Sequence, residues 1–327
     1  MSNSSLKGRD LNIENFIAEQ IAEIKASVGD DQVICALSGG VDSLVAATIV
    51  HQAIGDQLTC IFVNHGLMRY GEPESIEKLF TEKFGESFVA TDASKRFLNR
   101  LENVSDPEQK RKIIGAEFIE VFQRAASNLG AKWLVQGTIY PDVIESGIGG
   151  KFVKSHHNVG GLPEKMGLKL IEPLRELYKN EVREVGKALG LPAEHVMRQP
   201  FPGPGLAIRI FDGAVTKELL ETLRLVDHIV CTEIERYDQF RNTLGQYFAA
   251  MPAKLKVTGV DDEGERVNGH VVFVRTVQTK DYMKGLAGDL PYYLQQRIVK
   301  AVLSRVSNVV RVVFDGTPKP PGTIEYE

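Results

Sequence analysis

Apolar positions recur along this chain in two alternating patterns, and the alternation predicts a parallel sheet. Ile13, Phe16, Ile17, Ile21 and Ile24 share one face of a helix over Ile13–Ala26. The apolar run Val33–Leu37 reads as a buried strand, followed by a Gly-rich turn and a helix over Val41–Ile54. A second run, Leu58–Val63, ends at Asn64-His65-Gly66. Helical spacing covers Ser75–Phe84 and Lys110–Leu129, and short strand patterns cover Ser87–Ala90 and Lys132–Gln136. Strands that alternate with helices predict a doubly wound α/β domain with its sheet covered on both faces.

Pro200-Phe201-Pro202-Gly203-Pro204-Gly205 stops this rhythm. Three prolines withhold backbone donors and the glycines permit unusual turns, so no regular element crosses the segment. The predicted domains are therefore 1–204 and 205–327. The second is read as a smaller α+β domain with helices over Thr216–Tyr237 and Tyr292–Val306. Its strands are Lys254–Val260 and His270–Thr276, joined through Asp261-Asp262-Glu263-Gly264, then Val309–Phe314 before a Pro/Gly-rich tail.

Composition narrows the function. A length of 327 residues fits two domains. A net charge of −4 argues against nucleic acid or an anionic membrane as the main partner. Met1–Asp10 is polar, without the apolar core of a signal peptide, and no run reaches the ~20 apolar residues of a membrane helix. A cytoplasmic protein is the expectation. Cys35, Cys60 and Cys231 have neither pairing nor metal-ligand spacing and are read as buried thiols.

The chemistry concentrates in Ser38-Gly39-Gly40-Val41-Asp42-Ser43, between a strand and a helix. Its glycines let backbone amides turn inward, and the helix N-terminus favours an anion. Ser38 and Ser43 can donate to phosphate oxygens. There is no Walker lysine and no Gly-x-Gly-x-x-Gly turn at this loop. Asp42 places a carboxylate among anion-binding groups, which is repulsive unless a cation bridges it to the phosphates, and Mg2+ suits that bridge. The plainer alternative is a tight glycine turn with a helix N-cap.

This loop is similar to the pyrophosphate loop of the N-type ATP pyrophosphatases. Gln136–Ser146, Lys154–Pro163, Lys110–Gly115, Pro200–Gly205 and Lys319–Glu325 resemble the GMP synthase family within that group, in the right order, over about Ile13 to Glu327. The resemblance implies an adenine nucleotide alpha-hydrolase-like fold followed by a homodimerisation domain. It implies adenylation of XMP at O2 by ATP, with ammonia then displacing AMP. Catalytic residues would be Asp42 and Lys179. The ATP and pyrophosphate site would take Ser38, Gly39, Gly40, Val41, Asp42, Ser43, Val63, Gly137 and Lys179. Lys179 resembles the family lysine that reaches the phosphates, although a helix lysine is more often solvated.

Asp142 and Glu145 follow a strand end and are candidates, with Asp42, for Mg2+; solvated turn carboxylates are the alternative. In the tail, Lys319 can meet the XMP 5′-phosphate and Glu325 can accept from base N–H groups, beside Thr323 and Ile324. Arg111 and Arg209 are further phosphate candidates because guanidinium forks match phosphate oxygens, with surface ion pairs as the alternative. His156-His157 is read as part of a mobile flap rather than a zinc site. None of the cysteines lies in a Gly-x-Cys-x-Gly turn, so ammonia is expected from solution or from a separate glutamine amidotransferase subunit. The chain departs from the family pattern at Asn64 (commonly Asp), Tyr326 (commonly Trp) and Thr317-Pro318. The competing readings are another amidating pyrophosphatase, such as an NAD synthetase, and a nucleotide sensor without turnover.

Overall fold

The apolar runs form strands β1 (Val33–Leu37) and β2 (Leu58–Asn64), and both are buried almost throughout. With β3 (Phe88–Asp92), β4 (Trp133–Val135) and β5 (Lys169–Ile171) they build a five-stranded sheet of order β3-β2-β1-β4-β5. The pairs β1–β2, β1–β4 and β4–β5 are parallel. The computed structural model describes residues 11–147, 167–261, 263–279 and 284–327, without the side chains of 145–147, 238, 241 and 242.

Helices α1 (Ile13–Val28), α2 (Val41–Ile54), α3 (Glu72–Phe84), α4 (Ser94–Arg100), α5 (Pro107–Ala126) and α6 (Tyr140–Gly147) intersperse these strands. They are followed by α7 (Lys179–Ala188) and α8 (Ala193–Val196). Asn12 caps α1 by accepting the Asn15 N–H at 3.0 Å. Helix α2 is buried at every position from Ser43 to Val50, as a stretch without a polar face requires. No described helix is long and apolar enough to cross a membrane.

The chain divides into two compact units, and the second borrows from early sequence. Unit one takes the stretches up to Val63, Ile76–Thr91 and Ile119–Arg198; unit two takes Asn64–Ser75, Asp92–Phe118 and Gln199–Glu327.

In the second unit the Pro/Gly segment leads into a single 3-10 turn, Gly205–Ile208. A side chain at Gly205 (φ +63°) would lie 2.3 Å from the Leu67 carbonyl oxygen, so only glycine fits. Beyond it come β6 (Ile210–Phe211), α9 (Lys217–Glu235), α10 (Asp238–Thr243), β7 (Gln246–Pro252) and β8 (Lys256–Val260). The chain continues through β9 (Arg266–Gln278), β10 (Leu286–Ala287), α11 (Tyr292–Leu303) and β11 (Val309–Asp315). Strand β9 is the hub: β7, β8 and β10 pair with it antiparallel and β11 parallel.

Candidate active site

In the first unit, Ser38–Ser43 links the C-terminal end of β1 to α2. Strand order reverses between β1 and β4, where open α/β sheets form their ligand crevice. Gly39 has φ +76°, which glycine adopts without strain. Gly40 is the N-cap of α2 and no side chain caps it, which suits the helix end to an anion. Ser43 Oγ donates to the Gly40 carbonyl at 3.1 Å and accepts the Ser38 N–H at 3.3 Å. The Gly40 N–H donates to Ser38 Oγ at 3.3 Å.

Lys179 opens α7 and donates from Nζ to Asp42 Oδ2 at 2.6 Å. The other oxygen, Asp42 Oδ1, is buried without a hydrogen-bond partner. An orphaned carboxylate oxygen beside amides that suit an anion fits Mg2+, which takes one or two carboxylates and completes its shell with phosphate and water. Asp142 Oδ2 accepts the Ile139 N–H at 3.0 Å, fixing the first turn of α6. The Glu145 side chain lies outside the described residues. Among those residues no three His, Cys, Asp or Glu side chains are grouped to hold a metal.

Gly137, just after β4, explains how that loop comes so close. A Cβ there would sit 2.8 Å from both Asp42 C and Ser43 N. Gly137→Ala is therefore expected to push the Ser38–Ser43 loop aside and cost roughly 1–3 kcal/mol of stability, as measured by denaturant midpoint. Thr138 Oγ1 donates to Glu172 at 2.6 Å, holding the same loop. Val63, on β2, is buried.

In the second unit the tail is anchored by three buried cations. The Arg209 fork donates to both oxygens of Glu325 at 2.9 Å, stacks 4.0 Å above the Phe248 ring and lies 3.5 Å from Asp227. Gln246 adds a bond to Glu325 at 2.9 Å. Lys110 donates to Glu327 at 2.6 Å and to the Ile210 carbonyl at 2.7 Å. Burial pushes the Lys110 ammonium below its ordinary range, against the pull of Glu327.

Arg275 donates to the carbonyls of Thr317 at 2.6 Å and Thr323 at 2.8 Å, and pairs with Asp315 at 3.0 Å. Tyr326 stacks on Phe211 at 4.9 Å and donates to Asp315 at 2.9 Å. Burial pushes the Asp315 carboxyl up, but bonds from Thr317 and Tyr326 and the Arg275 charge outweigh it, so its pKa lies below the ordinary 3.8. A depressed carboxylate contributes stability above the unfolded pKa and loses it as pH falls through the folded one. The Asp315 contact is thus expected to go on holding the tail at pH values where an ordinary aspartate begins to protonate, so Asp315→Asn should speed proteolysis of the tail at pH 7 and make progressively less difference as the pH falls below 3.8.

The structure brings together Ser38, Gly39, Gly40, Val41, Asp42, Ser43, Gly137 and Lys179, and separately Arg209 with Glu325. Arg209 is a buried ion pair rather than the surface pair weighed against the phosphate reading. Arg111 lies 3.5 Å from Glu108 on its own helix. Lys319 forms an isolated antiparallel bridge with Gly285, and Thr323 Oγ1 donates to the Glu325 carbonyl. Asn64 Oδ1 accepts the Gly66 N–H at 2.9 Å, a turn contact within its own loop. Lys154–Pro163, with His156 and His157, lies outside the described residues. Sequence reasoning missed Arg198, Arg275, Asp227 and Gln246 as organising residues, since no local motif marks them.

Residues 232–326 match the family model "GMP synthase C terminal domain". A "GMP synthase [glutamine-hydrolyzing]" from Heliobacterium modesticaldum is 52% identical over 96% of this chain and 61% of its own length. Another from Symbiobacterium thermophilum is 53% identical over 97% of this chain and 62% of its own. A looser likeness, with a TM-score of 0.47 at 15% identity, is the NMN synthetase structure from Francisella tularensis, covering 60% of this chain and 78% of that one. Residues 232–326 thus match a GMP synthase C-terminal domain, nearly the whole chain is just over half identical to GMP synthases, and it spans about three fifths of the length of the curated relatives it matches.

Proposed function

We propose that this chain is the nucleotide-activating part of a GMP synthase, with ATP bound by the first unit and XMP by the second. What carries the reading is the phosphate loop with its Asp42–Lys179 pair, in a chain just over half identical to enzymes of that name. The xanthine O2 attacks the α-phosphorus of ATP, the α–β anhydride bond breaks, and pyrophosphate leaves. Ammonia then adds at C2, loses a proton, and AMP departs with the former O2 to leave GMP. Magnesium would be held by Asp42, with Asp142 and Glu145 as further candidates, and would supply charge neutralisation.

The chain's own groups mostly position and neutralise. Ser38, Ser43 and the loop amides hold the β- and γ-phosphates, Lys179 meets the charge developing on pyrophosphate, and Val63 and Gly137 shape the ATP site. Lys319 takes the 5′-phosphate of XMP, with Arg111 a second phosphate candidate. Glu325, aligned by Arg209 and Gln246, accepts from the base beside Thr323 and Ile324. Ammonia comes from solution or from a glutamine amidotransferase, and the enzyme works in the cytoplasm as a homodimer.

The test is to give the purified chain XMP, Mg·ATP and ammonium and follow the three products. GMP, AMP and pyrophosphate appearing in equal amounts, and only with ATP, support the reading. Absence of GMP at saturating ammonium, even with an amidotransferase added, rejects it. Sedimentation as a monomer at micromolar concentration would reject the homodimer.

A further inference from the structure

We propose that Arg198 is a positioning residue of the phosphate loop, holding the Gly39–Gly40 peptide so that its N–H faces the phosphates. The inference rests on reading Ser38–Ser43 as a pyrophosphate site. Arg198 Nη1 donates to the Gly39 carbonyl at 2.8 Å, across 159 residues of sequence. In a trans peptide the carbonyl and the following N–H point to opposite sides. Fixing the Gly39 oxygen therefore fixes the Gly40 N–H on the other side, where it meets Ser38 Oγ at 3.3 Å.

A loop with two successive glycines needs such a restraint. Glycine crosses between backbone regions closed to other residues, so the Gly39–Gly40 peptide can rotate at little steric cost. In the rotated state a carbonyl dipole would face the phosphate oxygens, and an anion site would become repulsive at its centre. Ser43 fixes the Gly40 carbonyl, but that oxygen belongs to the next peptide. Arg198 is itself supported, since its carbonyl accepts from Arg183 Nη2 at 3.3 Å. Arg183 lies four residues beyond Lys179 on α7, so one helix face serves both Asp42 and the grip on Gly39.

The competing explanation is that Arg198 acts only as a positive charge near the phosphates. Calorimetric titration of Mg·pyrophosphate into the wild-type chain, Arg198→Met and Arg198→Gln separates the two, with melting followed in parallel. Methionine keeps the bulk without a donor, while glutamine keeps a donor without the charge. Positioning predicts roughly 10- to 100-fold weaker binding for Arg198→Met and at most about threefold for Arg198→Gln, with closely similar melting temperatures. Wild-type affinity in Arg198→Met overturns the proposal, and so does Arg198→Gln binding as weakly as Arg198→Met. If Arg198→Met does not fold, Arg198→Gln alone decides: near-wild-type affinity supports positioning, and a tenfold loss overturns it. No binding by the wild-type chain removes the pyrophosphate reading itself, a failure distinguishable from the others.

Discussion

An Asp42→Asn enzyme is expected to release pyrophosphate roughly 10²–10³-fold more slowly while melting no lower than the wild type. The two effects come from the two oxygens of one carboxylate. Oδ2 accepts from Lys179, and that pair is part-exposed, so its loss alters folding stability little. Oδ1 is buried with no partner, an arrangement that folding alone does not favour. Asparagine keeps the shape, removes a negative charge from an anion site, and forfeits attraction for the bridging cation. Loss of activity without loss of stability is thus the signature of a group retained for chemistry. The checks are a coupled pyrophosphate assay and scanning calorimetry on the same sample. A lower melting temperature with normal turnover would make Asp42 structural and leave the phosphate loop without its proposed cation ligand.

Arg275→Met is expected to destabilise the second unit by about 3–5 kcal/mol, because methionine replaces the volume but none of the donors. The wild-type guanidinium is almost wholly buried and serves Thr317, Thr323 and Asp315 together. Without it two backbone acceptors lose their partner and Asp315 keeps only its hydroxyl and amide contacts. The tail carrying Lys319 and Glu325 loosens, so KM for XMP rises while KM for ATP holds. Denaturant midpoints and separate KM values test this, and an unchanged midpoint with an unchanged KM for XMP would show the clamp to be dispensable.

The parts of the fold legible in the sequence were those with local signals. Val33–Leu37 and Val41–Ile54 form the strand and helix predicted for them, because a wholly apolar strand and a helix without a polar face declare burial directly. Gln246–Pro252 escaped notice although every residue is buried; two alanines and a terminal proline carry little strand preference, and burial on both faces abolishes alternation. Lys179 reads as a helix lysine, but the extent of Lys179–Ala188 was not legible, because only Val182, Val185 and Gly186 are buried, too few for a clear stripe. Strand β9 runs past its predicted His270–Thr276 at both ends, because Arg266–Gly269 pairs with β8 without being apolar. In the site, Asp42 was legible because its loop is contiguous. Lys179, 137 residues away, was reached through family resemblance alone, and Arg275 offered no signal. The partner of a buried cation is decided when the chain closes on itself.

That closure sets an order of events during synthesis. Lys110 ends fully buried against Glu327, 217 residues later, and Arg209 against Glu325, 116 residues later. At translation rates of about 5–20 residues per second, roughly 10–40 s separate the emergence of Lys110 from that of its counter-charge. Through that interval the ammonium stays hydrated, so the start of α5 cannot yet take its final place. The second unit therefore completes its folding only once Glu325 and Glu327 have emerged, and until then a chaperone has most to cover.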